Sequence, residues 1–203
     1  MRPFDELLGE SVRWHGHMCP GQVLGVRMAM LGCRLLGIEE PRSRKESKKL
    51  IVFVEMDRCA TDAIESVTGC TMGKRTLKFR DYGIMAATFW HTERDLAYRI
   101  LAREEAKLRA RVLAPGQGDP FHQQLEAYKT MSDRDLFAVQ RVEVTLEPCD
   151  MPGPPRRHAR CARCGQVVRD GREVAVGGEV LCRPCSGESY FRPCAYPMAK
   201  ALR

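Results

Sequence analysis

Two cysteine pairs, Cys161-x2-Cys164 and Cys182-x2-Cys185, separated by seventeen residues, restrict the end of this 203-residue chain more than any other feature. Two residues between paired thiolates let both reach one tetrahedral ion at about 2.3 Å, and a second pair closes the coordination shell. The roughly 45 residues from 159 to 203 are too few to bury a core that folds unaided, so a bound metal has to take its place. Gly165, Gly171, Gly177 and Gly178 supply the left-handed turns that knuckles and hairpins require. The alternative, two redox-active pairs, would need a βαβ setting that the surrounding sequence lacks. A structural zinc held by Cys161, Cys164, Cys182 and Cys185 is therefore expected. Cys149 and Cys194 lie outside the pattern and read as plain thiols.

Four of the twelve prolines fall between Pro148 and Pro155, a run that can neither continue a helix nor pair regularly in a sheet. The expected organisation is a core domain over 1–147, a proline-rich linker over 148–158 and the metal-stapled module over 159–203. Ten cysteines after an N-terminus, Met-Arg-Pro-Phe-Asp-Glu, that lacks a signal-peptide pattern point to metal ligation or thiol chemistry in a reducing cytoplasm. No apolar run reaches the length of a membrane span. Of the net charge of +7, five units come from the segment after Glu147, with 10 basic residues against 5 acidic. That excess suits an acidic partner or simple solubility, and without interleaved aromatic residues it does not suggest nucleic acid.

Helical and strand patterns alternate through the first 147 residues. Pro3 opens a helix ending near Trp14, and Pro20 opens a longer one that carries Val23, Leu24, Met28, Leu31 and Leu35 and stops at Gly37. Arg42 to Lys49, with five basic residues and one acid, reads as a solvated loop or an anion-facing one. Leu50 to Glu55 reads as an interior strand, followed by a helix over 61–67 closed by Gly69. Further strands are expected over 77–80, 85–91, 96–101 and 138–146, with helical spacing over 103–112 and a short helix capped by Ser132. The sum is an α+β domain with a mixed sheet of about five strands flanked by helices.

The chemistry-bearing residues of this domain lie at His15-Gly16-His17-Met18-Cys19-Pro20-Gly21, entering the long helix, and at Cys59-Ala60-Thr61-Asp62, directly after the interior strand. A helix N-terminus favours thiolate, and strand ends collect ligand groups. Together with Gly25, Glu55, Asp62-Ala63-Ile64, Thr68-Gly69-Cys70-Thr71, Gly73-Lys74 and Asp81-Tyr82-Gly83, these residues resemble the FmdE family, named for a protein encoded beside the molybdenum formylmethanofuran dehydrogenase of methane-forming archaea. The resemblance implies a thioredoxin-like core with a metal-binding active site and a trailing treble-clef zinc finger. It also implies association with a molybdenum or tungsten oxidoreductase; a homodimer is expected. Ile84 follows Gly83 where the family usually carries lysine.

His17, Cys19 and Cys59 are the expected ligands of a zinc or another transition metal, with His15 as a fourth ligand or an outer partner. Asp62 is placed to orient a ligand or act as a general base; with His15, His17, Cys19 and Cys59 it makes up the expected active site. Cys70 reads as a buried turn cysteine, a ligand or a redox partner. Thr71, Gly73 and Lys74 form a structural or an anion-binding turn, and Trp14, Phe89 and Trp90 are core or pocket wall. Three functions follow from these residues: a metal-dependent enzyme, a thiol-redox or metal-delivery accessory protein, and a zinc-finger adaptor binding nucleic acid or protein.

Overall fold

The computed structural model describes residues 1–192, so Cys194 lies outside the described residues. The chain divides into two compact units, Met1–Leu146 and a second beginning at Glu147. In the first unit a five-stranded sheet is built from β1 (Leu50–Val54), β2 (Leu77–Phe79), β3 (Ala86–His91), β4 (Leu96–Ala102) and β5 (Phe137–Val142) in the order β2-β1-β3-β4-β5. β1 and β2 run parallel and every other neighbouring pair is antiparallel, which makes the sheet mixed. β1 and β3 are apolar and almost wholly buried, as their central places in the sheet require.

Helices α1 (Phe4–His15), α2 (Pro20–Leu35) and α3 (Cys59–Thr68) pack together and share one apolar core with the sheet. α2 approaches its neighbours closely because glycine replaces a side chain at the contacts. A Cβ on Gly25 would stand 2.5 Å from the Ala60 carbonyl oxygen, and one on Gly32 would stand 2.4 Å from the Phe89 ring. α4 (Glu105–Leu113), α5 (Pro120–Thr130) and α6 (Asp133–Leu136) complete the unit. α5 has no counterpart among the sequence expectations; Asp119 caps it by accepting from the amides of Phe121 and His122, with Pro120 at its first position. The last strand is shorter than 138–146, ending at Val142.

The second unit pairs β6 (His158–Arg160) with β7 (Val167–Arg169) and β8 (Val174–Val176) with β9 (Glu179–Leu181), then forms the short helix α7 (Arg183–Ser186). Gly165, Gly171, Gly177 and Gly178 all have positive φ. Among the described residues its buried apolar side chains are Cys161, Leu181 and Cys182, with Val168 and Cys185 beside them. Among the described residues no helix is long and apolar enough to cross a membrane.

Candidate metal centres

The site in the first unit is assembled from three chain segments. α1 ends at His15, and Gly16 follows in the left-handed region at φ 97°, which turns the chain so that His17 comes back beside His15 with ring centroids 4.5 Å apart. Cys19 is the N-cap of α2, in extended conformation, and its side chain makes no capping hydrogen bond. Cys59 is the first residue of α3. Both sulfurs therefore sit at the positive ends of helices, where a thiolate is favoured. One ligand atom from each of His15, His17, Cys19 and Cys59 falls within 4.8 Å of the others.

The surroundings fix these groups. His15 Nδ1 is 2.7 Å from Asp62 Oδ2, one turn along α3 from Cys59, while His15 Nε2 is buried with no hydrogen-bond partner. A buried ring nitrogen without a partner carries a cost of desolvation, and a metal ion at the centre of the cluster would remove it. Gln22, fully buried, donates from Nε2 to the Cys59 carbonyl at 2.6 Å and accepts the Ser11 hydroxyl, so one side chain ties α1, α2 and the start of α3 together. A Cβ on Gly21 would lie 3.0 Å from Cys59 Cβ and 3.6 Å from Cys19 Sγ, so glycine leaves the room the two sulfurs use. Burial first, then hydrogen bonding and charge from Cys19, push the Cys59 thiol upward.

Behind Cys59, the strand end is clamped. Arg99 grips Glu55 with two hydrogen bonds of 2.7 and 2.6 Å, and the Glu55 carbonyl accepts the amides of Tyr82 and Ile84. Glu55 and the Asp81-Tyr82-Gly83 segment thus position the loop that delivers Cys59.

Among the other residues singled out in the sequence, Cys70 stands apart. It is buried and donates to the carbonyl of Leu50, at the start of β1, whereas Cys59 follows that strand's end. Burial pushes its thiol up to about 11. Phe89 and Trp90 are buried, but Trp14 is 62% exposed and belongs to a cleft wall, not the core. Gln22 carries no sequence signature of a site, and Gly21 entered only as the last residue of the motif; Gly16, between the two histidines, is the one visible sign that His15 and His17 would meet.

In the second unit, one sulfur from each of Cys161, Cys164, Cys182 and Cys185 lies within 4.8 Å of the others. Backbone amides of Cys164 and Cys182 pull Cys161 down to about 6, whereas hydrogen bonding to Cys182 pushes Cys185 up to about 12. All of the cysteines in both clusters are free thiols.

An α+β core whose strand end and two helix starts gather histidines and cysteines, followed by a four-cysteine unit, describes a class of two-unit proteins with two potential metal centres. The chain matches the family described as "FmdE, Molybdenum formylmethanofuran dehydrogenase operon" over residues 14–138, and it belongs to that family. It is 28% identical over 207 residues to a "Probable S-adenosyl-L-methionine-binding protein" of Archaeoglobus fulgidus, covering 91% of this chain and 53% of the relative. The chain thus spans about half the length of that curated relative. Its fold is similar to the crystal structure of a tungsten formylmethanofuran dehydrogenase FmdE-like protein from Syntrophus aciditrophicus, with a TM-score of 0.60, 19% identity, and coverage of 93% of this chain and 95% of the other.

Proposed function

We propose that this protein is a metal-binding accessory of a molybdenum- or tungsten-dependent formylmethanofuran dehydrogenase-type oxidoreductase, with a functional metal site in the core and a structural zinc in the tail. The observation that carries the reading is the convergence of His15, His17, Cys19 and Cys59 around the buried, unpartnered Nε2 of His15. Two thiolates and two imidazoles form a borderline-soft set that suits zinc. Asp62 holds His15 through Nδ1 and so directs Nε2 inward, an orienting role. His17 is the exposed member of the set and Cys19 the buried one, so His17 is the ligand that solvent or a partner reaches first. A metal held there would supply Lewis acidity, and displacement of His17 would open one position without dismantling the other three.

The family description and the FmdE-like protein of Syntrophus support the choice of partner. S-adenosylmethionine is not carried over, because a sulfonium ligand makes no use of two thiols and two imidazoles and close to half of the Archaeoglobus relative has no counterpart here. A thiol-redox role would need only Cys19 and Cys59, and leaves the inward turn of both histidines without a purpose.

Metal counts per chain after anaerobic purification and reconstitution with zinc test the reading. Wild-type protein is expected to hold two equivalents, and Cys19→Ala and Cys59→Ala one each, with the tail metal retained. Two equivalents in either variant would overturn it.

A further inference from the structure

Two basic stretches that the metal site does not use meet at one residue. Gly69, the left-handed C-cap of α3, lies against the stem of Arg42: a Cβ there would stand 3.0 Å from Arg42 Cγ. On its other side, Lys74 Nζ donates to the Gly69 carbonyl at 3.1 Å. The loop of residues 42–49 and the turn of residues 71–74, far apart in sequence, thus form two walls of a cavity of 120 Å3 to which Lys48 also contributes. Its lone acid, Glu46, is buried and engaged with His91 Nε2 at 3.1 Å, so it does not neutralise the basic groups. Among the described residues neither Lys48 nor Lys74 is paired with a carboxylate. Lys48 also holds a left-handed backbone at φ 64°, a conformation disfavoured for a non-glycine residue.

The cavity does not end there. A second hollow of 430 Å3 shares Arg42, Gly69 and Lys74 in its wall and continues to Glu10, Trp14 and Glu65; Glu10 pairs with Arg42 at 3.2 Å, which leaves Lys48 and Lys74 as the cations without a carboxylate partner among the described residues. Trp14 presents its indole at 62% exposure directly before His15, and Glu65 lies one turn along α3 from Asp62. The two hollows therefore join an end that bears Lys48 and Lys74 to the exposed indole of Trp14.

We infer that this cleft binds a phosphorylated small molecule bearing a planar ring. Lys48 and Lys74 take the phosphate through charge-assisted hydrogen bonds, with the Glu10-paired Arg42 at the edge of the cavity, and Trp14 stacks on the ring. The site is separate from the metal ligands and stands or falls without them.

Adenosine 5′-monophosphate serves as the probe, titrated against the full chain by calorimetry at fixed ionic strength and by tryptophan fluorescence. Binding is expected to exceed that of adenosine by at least about tenfold, the worth of one charge-assisted hydrogen bond. Inorganic phosphate is expected to compete, and quenching to vanish in Trp14→Phe, since Trp90 is buried. Lys48→Met and Lys48→Met/Lys74→Met are expected to lower affinity stepwise while both metal equivalents remain. Equal binding of adenosine and its monophosphate, no binding of either, or wild-type affinity in Lys48→Met/Lys74→Met would overturn the assignment. Cys59→Ala separates the two sites: unchanged monophosphate binding in that variant supports the cleft, and loss of binding with loss of metal places the anion at the metal centre and refutes it.

Discussion

At the scale of single residues, the site depends as much on the groups behind the ligands as on the ligands. His15 can offer Nε2 only while Asp62 holds Nδ1, so the carboxylate sets the tautomer and the ring angle together. Asp62→Asn keeps the size but removes the charge and places an amide opposite the ring. Its expected effect is a fall of roughly 10–100-fold in metal affinity at the core site, measured by chelator competition, with the tail metal and the fold unchanged. An affinity equal to wild type would leave Asp62 as a solvated carboxylate. His17, Cys19 and Cys59 were legible in the sequence because imidazole and thiolate at a helix start and a strand end are rare and chemically pointed. His15 was legible only as an alternative, since its direction depends on the left-handed turn at Gly16. Gln22 was invisible: a glutamine on an amphipathic helix has no signature, and its value lies in bonds to Ser11 and Cys59 that exist only after the helices pack.

Whole elements follow the same logic, as the join between α2 and α5 illustrates. Arg27 donates to the carbonyls of Tyr128, Lys129 and Met131, which end α5, and to Asp133 at the start of α6. Arg34 reaches the other oxygen of Asp133. Burial pushes the Asp133 carboxyl up, but the two guanidinium groups outweigh it and hold the pKa below its ordinary value. A carboxyl depressed on folding contributes stability that is complete above its unfolded pKa of about 3.9 and is lost as pH falls through the lower folded value. Asp133→Asn is therefore expected to cost about 1 kcal/mol at pH 7, allowing for screening at a partly exposed site. In thermal melts across pH, the gap between variant and wild type should close as pH falls below the unfolded pKa and through the lower folded one; a gap independent of pH would refute the ionic contribution. The sheet and α1 to α3 were legible because β1 is a β-branched apolar run and Pro3 and Pro20 mark helix starts. α5 was not: Asp119-Pro120 carried its cap, yet Phe121, His122, Gln123 and Gln124 dilute the apolar period that would have identified a helix. What attaches it is Arg27, a contact 101 residues away in sequence from Tyr128.

Across the whole molecule, the two candidate ligand clusters would serve two different physical needs. The core unit buries an extensive apolar cluster beneath its sheet, so its fold does not depend on the ion that the four ligands of the site would hold. Among the described residues of the second unit the buried apolar side chains are Cys161, Leu181 and Cys182, far less than a freestanding domain requires. For such a unit, metal binding is folding free energy, on the order of 10 kcal/mol for structural zinc near neutral pH. Cys182 is the most consequential of the four to remove, because it is both the N-cap of α7 and one of the three buried apolar residues described in this unit. In Cys182→Ser, one metal equivalent is expected to disappear and the segment from Glu147 to become susceptible to protease. The core unit should retain its own melting transition and its own metal, since its packing uses none of the tail cysteines. The contrast with Cys59→Ala is the discriminating result: that variant also loses one metal, but both units should remain resistant to protease. Full metal content together with unchanged protease resistance in Cys182→Ser would show that the tail is held by something other than its four sulfurs.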